Sequence, residues 1–469
     1  MANVSDKLAM MACPLGIIYL MLGIAAAQQT PAAPATMTYN KGIVVSLFPF
    51  PYPGHVELFE GVDPKEMTSA TASTQHPFLE ENILITTLVP DPASNRLFFI
   101  DVHTNSIYRW ENVTTTLNDQ TVSTINQTYK LYEGLSRAIC KLDYDFVSGN
   151  LYWSDPLLHW IAVLPADSDN TDGKKILLSD DVDYVAAMVL DSESKYLFWV
   201  SSAYEDGKME RSNLLGGDRQ VIIPSSFGFV DDMALDMTEK KLYWVDSYRM
   251  TVESADYNGN GRRVVRRLVG TEFTSIAVIE SNICLINFDN YEMQCMYKTS
   301  GDRYAYHSFY PSNPYAVGFQ NPGVQKTGLQ NNCVTKACDH ICVNTDTSQA
   351  KCLCKDGYTL QPNGISCIQT NPLFDSGVVI TNSTHICMIE ISALSSSAKN
   401  KPLRCEGTTA TKDTRHIQVH VAKNLLYYTA NSSNPTTANK TQLLRFELSS
   451  KSHWVVVQDM EDPDDFINL

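Results

Sequence analysis

Apolar and polar positions alternate along this chain in short runs cut by turn residues, and five of the runs share one shape. They are RLFFID (Arg96 to Asp101), LYWSD (Leu151 to Asp155), LFWVS (Leu197 to Ser201), LYWVD (Leu242 to Asp246) and ICLIN (Ile283 to Asn287). Two marks hold the register. Asp91, Asp145, Asp191 and Asp236 each stand six residues before the leading Leu of their run, and Ile107, Ile161, Val252 and Met293 stand six after the closing position. The third run reaches its apolar mark, Met209, after a short insertion. The spacing of roughly 40–55 residues, with β-branched and aromatic runs between turns such as Asn258-Gly259-Asn260-Gly261, describes a unit of four short strands. Such a unit cannot bury both of its faces alone, so units must stack into a ring. Residues 39–328 hold six units at this period, which predicts an all-β, six-bladed propeller. Its last blade closes if Lys41 to Leu47 pairs with the late strands around Tyr315 to Phe319, leaving the ring without an edge. An Asp that recurs once per blade reads as a group that bonds turn amides, not as a catalytic carboxylate.

The two ends of the chain change the picture. Met11 to Ile24 is an apolar run followed by Ala25-Ala26-Ala27, the form of a secretory signal peptide over residues 1–27, with a leader over 28–38. No other stretch is apolar enough to cross a bilayer. Export agrees with Asn-x-Ser/Thr sites at Asn112, Asn126, Asn382, Asn431 and Asn439, which are candidate glycosylation sites. The net charge of −16 argues against nucleic acid or an anionic membrane as partner and favours a basic protein ligand.

Beyond the ring come Cys333, Cys338, Cys342, Cys352, Cys354 and Cys367, embedded in CDHIC, CLC, KDGYTL and GISC. Six Cys in a short exported segment form a disulfide scaffold, with 15 connectivities open on spacing alone. Runs and Cys segment together resemble the Tyr-Trp-Thr-Asp propellers of the low-density lipoprotein receptor family, each followed directly by an EGF-like module. The resemblance covers about Tyr39 to Ile368, with Ser201 and Asn287 in place of the usual Asp and Phe99 in place of Trp. It implies an EGF-like module over 329–370 paired Cys333–Cys342, Cys338–Cys352 and Cys354–Cys367. A propeller directly after the signal peptide resembles the order of the Wnt co-receptor branch. Within the fifth run, the turn Phe288 to Tyr291 can bring Cys284 and Cys295 side by side, which predicts a further disulfide. Cys387 and Cys405 form a candidate pair of the same kind, leaving Cys140 unpaired.

GVVITNSTHICMIEI from Gly377 and NLLYYTA from Asn424 resemble the strands of a second propeller, so residues 371–469 are expected to be an incomplete one. About two blades cannot close a ring. The expectation is therefore a chain that forms the first part of a longer receptor, with any anchor further on.

Topology names a candidate binding face. In an up-and-down blade the loop after the second strand lies on the same side as the connector to the next blade. That side collects Glu80, Glu81, Asp183, Glu205, Asp206, Asp231, Asp232, Glu272, Asp289 and Glu292, against Arg137 and Arg249. His103 and His159 follow the first two runs, and their protonation would oppose a cationic ligand in acidic compartments. Arg262, Arg263, Arg266 and Arg267 are assigned to the opposite face, making it partly basic. The resemblance implies that Glu80-Glu81 and the connector Phe229-Val230-Asp231 contact ligand, Asp231 standing where that branch has Asn. Where the branch has Trp after the third and fifth runs, this chain has Ser202 and Phe288. No HxH or HExxH arrangement occurs and the Cys residues belong to the scaffold, so the sequence supplies no metal site, no cofactor site and no nucleophile set for an enzyme. Two readings remain: an extracellular receptor segment binding a basic protein ligand on the acidic face, or a secreted matrix scaffold that uses propeller and EGF-like module as spacers.

Overall fold

The computed structural model describes residues 42–48, 55–60, 67–68, 71, 73–77, 83–91, 93–117, 120–136, 138–167, 173–182, 184–201, 207–268, 273–320, 329–346 and 348–369, together with strands between 377 and 460. The predicted signal peptide and leader lie outside the described residues. The chain divides into two compact units, Met1–Leu353 and Cys354–Leu469.

The first unit is a ring of six four-stranded antiparallel sheets. The closing sheet takes β1 (Gly42–Phe48), β2 (His55–Glu60) and β3 (Thr74–Pro77) from one end of the ring sequence. The first blade is β4 (Ile85–Asp91), β5 (Arg96–Asp101), β6 (Ser106–Leu117) and β7 (Gln120–Glu133). The second is β8 (Lys141–Asp145), β9 (Asn150–Asp155), β10 (Trp160–Pro165) and β11 (Lys175–Leu178). The third is β12 (Val185–Asp191), β13 (Tyr196–Ser201), β14 (Lys208–Asn213) and β15 (Gln220–Ile223). The fourth is β16 (Val230–Asp236), β17 (Lys241–Asp246), β18 (Thr251–Asp256) and β19 (Arg263–Arg267), and the fifth is β20 (Phe273–Ile279), β21 (Asn282–Asn287), β22 (Glu292–Tyr297) and β23 (Arg303–Ser308). Finally β24 (Asn313–Gln320) pairs with β1, Ile43 opposite Phe319 and Gly42 opposite Gln320. The ring is therefore closed by strands from its two sequence ends, as the pattern predicted.

Each repeat run is the second strand of its blade, and its composition follows from that place. A second strand has a neighbouring blade on both faces, so every position is buried and the usual polar alternation disappears. In β17, Leu242 and Trp244 point into a core shared with Phe198, Val200 and Met209 of the third blade. Tyr243 and Val245 point the other way, onto Ile283 and Leu285 of the fifth. The same division recurs between the other blades, which is why five runs resemble one another. The apolar marks sit opposite the penultimate position of each run, Val245 facing Val252 and Ile286 facing Met293, all buried. The four early Asp residues lie at the ends of β4, β8, β12 and β16. Asp191 accepts from the amides of Glu193 and Ser194, both at 2.8 Å, and Asp236 from those of Thr238 at 3.0 Å and Glu239 at 2.9 Å. Their second oxygens tie blades together: Asp191 takes Lys240 Nζ and Tyr257 Oη of the fourth blade, and Asp236 takes Lys298 Nζ of the fifth.

The arginines assigned to the opposite face also hold neighbouring blades together, with Arg263 and Arg267 exposed. Arg262 lies over the rings of Phe227 and Trp244, pairs with Glu253 at 2.7 Å, and donates to the carbonyls of Ser225 and Ser226. Arg219 repeats this with Trp199, Glu210 and the carbonyls of Asp180 and Asp181. Arg263 donates to the carbonyls of Lys298 and Thr299, and Arg266 to that of Gly301. These guanidiniums staple neighbouring blades. Their forked donors suit paired carbonyl acceptors and their flat faces suit the aromatic rings.

Disulfides join Cys284–Cys295, Cys333–Cys342, Cys338–Cys352 and Cys354–Cys367. Cys140 is free and buried. In the first unit a short helix, α1 (Cys333–Lys336), precedes the hairpin of β25 (Ile341–Asn344) and β26 (Ala350–Leu353). This hairpin docks on the side of the ring that carries the turns between first and second strands. Ile341 and Val343 enter the core between the second and third blades, Asn150 donates to the carbonyl of Cys342 at 2.6 Å, and the Asn344 amide donates to Ser148 Oγ at 2.9 Å. The second unit contains the hairpin of β27 (Tyr358–Leu360) and β28 (Cys367–Gln369), a sheet of β29 (Gly377–Thr381), β30 (His385–Glu390) and β31 (Arg404–Gly407), and a sheet of β32 (Thr411–His420), β33 (Leu425–Ser432), β34 (Thr441–Glu447) and β35 (Ser452–Met460). Cys387 and Cys405 stand opposite each other in the register of β30 and β31.

Candidate ligand-binding face

The face opposite the EGF-like hairpin is built from the loops after the second strands and the connectors before the first strands, and the closing acid of each run organises it. Asp246 accepts from the amides of Gly228 at 2.7 Å, Phe229 at 3.1 Å and Arg249 at 2.9 Å. One carboxylate therefore pins the connector that enters its blade to the loop that leaves its second strand. Asp101 does the same with Leu84, His103 and Thr104, and Asp155 with Ser136 and Leu158. Gly228 is required by this contact, since a Cβ there would sit 2.6 Å from Asp246 Oδ1 and 2.8 Å from the Tyr248 ring. In the fifth blade Asn287 accepts from the Asn290 amide at 3.2 Å. Ser201 of the third run ends β13, and its buried hydroxyl has no partner among the described residues.

Of the acids assigned to this face, Glu80, Glu81, Asp183, Glu205, Asp206 and Glu272 lie outside the described residues, as do Ser202 and Arg137. Among those described, His103, His159 and Asp289 are exposed, while Phe229, Phe288, Asp231, Asp232 and Glu292 are half-buried. Phe288 meets Tyr315 edge to face at 5.9 Å. Asp232 is tied into the ring: it takes Lys141 Nζ of the second blade at 3.3 Å, and Ser275 Oγ and the Ile276 amide of the fifth at 2.8 and 3.2 Å. Asp231 accepts from the Ser247 amide at 3.1 Å, and burial pushes its carboxyl up to about 8 against the lowering effect of Ser247 and Lys141. Asp143, bonded to the Leu190 amide at 2.7 Å, is likewise pushed by burial to about 7.

Below the centre of the face runs the channel of the ring, about 680 Å³, lined by the inner strands of all six blades and including Lys141, Asp143, Asp232 and Lys298. At its mouth Ile139, Tyr184, Phe229, Tyr315, Lys141 and Asp231 surround a crater of about 50 Å³. The loops of this face also carry apolar side chains that the linear pattern did not single out: Ile139, which lines the crater, and Leu158, Tyr248, Met250 and Tyr310 are all exposed, Tyr248 to 62 % and Tyr310 to 76 %. Each lies in a loop or connector of this face. They could have been sought in the sequence by asking which loops after a run carry large apolar residues, as SYRM does after LYWVD.

No protein-family model matches the chain. Over 248 residues it is 28% identical to the vitellogenin receptor of Solenopsis invicta. The matched stretch is 52% of this chain and 14% of that receptor, so the chain spans a small part of the relative's length. Among solved structures, a chain of a nidogen/laminin complex aligns at a TM-score of 0.49 and 13% identity, covering 60% of this chain and 99% of that one. TolB from Acinetobacter baumannii aligns at 0.42 and 10% identity, covering 60% and 66%. Among the described residues no helix is long and apolar enough to cross a membrane.

Proposed function

We propose that this chain is a ligand-binding segment of an extracellular receptor of the lipoprotein-receptor class, which takes a basic protein ligand on the face opposite the EGF-like hairpin. The reading rests on five exposed apolar side chains, Ile139, Leu158, Tyr248, Met250 and Tyr310, carried by the loops and connectors of one face, which also holds the crater lined by Tyr184, Phe229 and Tyr315. Exposed apolar groups concentrated on one surface mark a site of protein association. Acids supply steering, so a basic partner is the complement. The acids assigned from sequence, with Glu80 and Glu81 before the first blade and Glu205 and Asp206 after the third run, would extend this surface outward. Within the class, a propeller followed by an EGF-like module favours an arrangement like that of the Wnt co-receptors, with the hairpin as a clamp beneath the ring. Glycans on Asn112, Asn126, Asn382, Asn431 and Asn439 belong to the same extracellular reading.

The test is binding of the full chain to an array of secreted proteins, repeated with Tyr248→Ser and Tyr310→Ser on every binder found. Each substitution is expected to weaken binding by about 10-fold or more, as for interface anchors generally. Val264→Ser, on the perimeter strand β19, is expected to leave it unchanged. Loss of binding from the perimeter change with none from the two face changes would overturn the assignment of the face.

A further inference from the structure

Three carboxyls and one ammonium meet where the channel opens onto the crater. Lys141 of β8 is committed to Asp232, which also holds the fifth blade through Ser275 and Ile276. Asp143, two residues along β8 from Lys141, is held by the Leu190 amide, and the charges of Asp232 and Asp145 oppose its ionisation. Asp231 is held by Ser247, which gives it both its amide and a side-chain hydrogen bond. The groups facing it from neighbouring elements are Lys141 of β8, Tyr184 before β12, Asp246 and Ser247 at the end of β17, Thr274 of β20 and Tyr315 of β24. One of these, Lys141, is cationic; its hydrogen bond goes to Asp232, and its charge favours ionisation of Asp231. Asp246 opposes ionisation of Asp231 by its charge. Lys141, Asp231 and Asp232, taken as a trio, are therefore one cation short when both carboxyls are ionised, and neutral when Asp231 carries a proton.

We propose that the crater takes one cationic side chain of the ligand, an arginine or a lysine, beside Asp231 and in exchange for its proton, so that recognition is coupled to pH through an aspartate. The proposal rests on the ligand-face reading above and adds to it a single specificity-determining residue. The walls suit the occupant. Tyr184, Phe229 and Tyr315 present ring faces or edges to the same space, and a guanidinium or ammonium is stabilised both by a carboxylate and by aromatic faces. About 50 Å³ admits the head of one side chain and little more. Because the empty crater holds Asp231 up to about 8, a cation entering at neutral pH meets mostly the protonated form and must expel that proton. Affinity then falls as pH falls, by at most about 10-fold per unit, over the window between the carboxyl's position with the cation bound and about 8. Histidines at the rim, His103 and His159, are not needed for this dependence.

Two pools of cyclic peptides decide it, identical except that a central arginine in one is its uncharged isostere citrulline in the other. On the full chain at pH 7.5 the arginine pool is expected to bind at least 10-fold tighter, and the preference to shrink at pH 5.5. Calorimetry in two buffers of different ionisation heat is expected to show release of nearly one proton with arginine peptides and none with citrulline peptides. Asp231→Asn keeps an oxygen for the Ser247 amide and is expected to abolish both the preference and the proton release while the citrulline pool still binds. Arginine preference or proton release that survives Asp231→Asn overturns the proposal, and so does binding without preference on the unsubstituted chain. Absence of proton release from the unsubstituted chain overturns it without any variant. Failure of both pools to bind the crater face would overturn the ligand-face reading itself.

Discussion

The fourth and fifth blades have the same four strands and the same place in the ring, yet different chemistry holds them. In the fourth, LYWVD is complete: Asp246 pins three amides, Trp244 fills the gap toward the third blade, and Arg262 covers Trp244 while pairing with Glu253. In the fifth, ICLIN has Asn287 for Asp, Leu285 for Trp and Gln294 opposite it for Glu, and Leu285 offers no ring for a guanidinium to cover. There the second and third strands are joined covalently, Cys284 to Cys295, directly opposite in register and buried in the core shared with the closing blade. The crosslink thus gives the fifth blade a covalent tie between its second and third strands where the fourth has the Trp244, Glu253 and Arg262 set. The two ways of holding a blade should respond differently to perturbation.

The largest effect is expected from Asp246→Ala. Removing a buried acceptor leaves three amides short of a partner, and each orphaned donor costs about 1–3 kcal/mol, so a loss of about 3 kcal/mol or more is expected in urea unfolding. Asn287→Ala in the fifth blade should lose about 1 kcal/mol. Equal losses would show that the two blades are held alike. Next in size is the double change Cys284→Ser with Cys295→Ser. By chain entropy a closed loop of this length contributes about 2–3 kcal/mol, and the loss should appear as weaker amide-exchange protection in β21 and β22 ahead of β17 and β18. Protection lost first from the fourth blade would sink the idea that the crosslink compensates the fifth.

Arg262→Met keeps the apolar stem over Trp244 and removes the bonds to Glu253, Ser225 and Ser226. About 1–2 kcal/mol is expected, because Glu253 is buried and left without its cation, and the same change at the exposed Arg267 should cost nothing measurable. The last effect belongs to the inner ring and depends on pH. Asp143 is raised to about 7 in the folded chain and is near 4 unfolded, so between these values the folded state holds the extra proton. Stability from this group is thus greatest at the acid end of the window and declines as pH rises through it, by at most about 1.4 kcal/mol per unit. Asp143→Asn should flatten this slope in melts between pH 5 and 7. An unchanged slope would place the proton elsewhere.

How far the ring could be read before folding is shown by particular residues. The closing pair of β1 and β24 was legible because a six-unit period left one blade incomplete and apolar strands at both ends to complete it. The crosslink at Cys284 was legible because both positions flank a short turn at equal distance. The use of Arg262, Arg263 and Arg266 was not legible. Their targets, the carbonyls of Ser225, Lys298 and Gly301, lie 35 or more residues away in sequence, and charge alone could not distinguish a staple from a solvated surface. Asp231 and Asp232 looked alike as neighbours in one connector. The strand register breaks between Val230 and Asp232, and the two carboxyls take different partners, Asp231 toward Ser247 and the crater and Asp232 toward Lys141 and Ser275.

The amino-acid sequence by itself determined the blade, the number of blades and the side on which the loops after each run must lie. These follow from local periodicity and from the rule that a small β unit must bury two faces. Tertiary structure alone decided which charges remain available on that side and which apolar side chains of its loops are exposed. Those properties depend on distances between blades 40 or more residues apart, where desolvation and a single shared ammonium set the state of each carboxyl, and no stretch of sequence contains both partners.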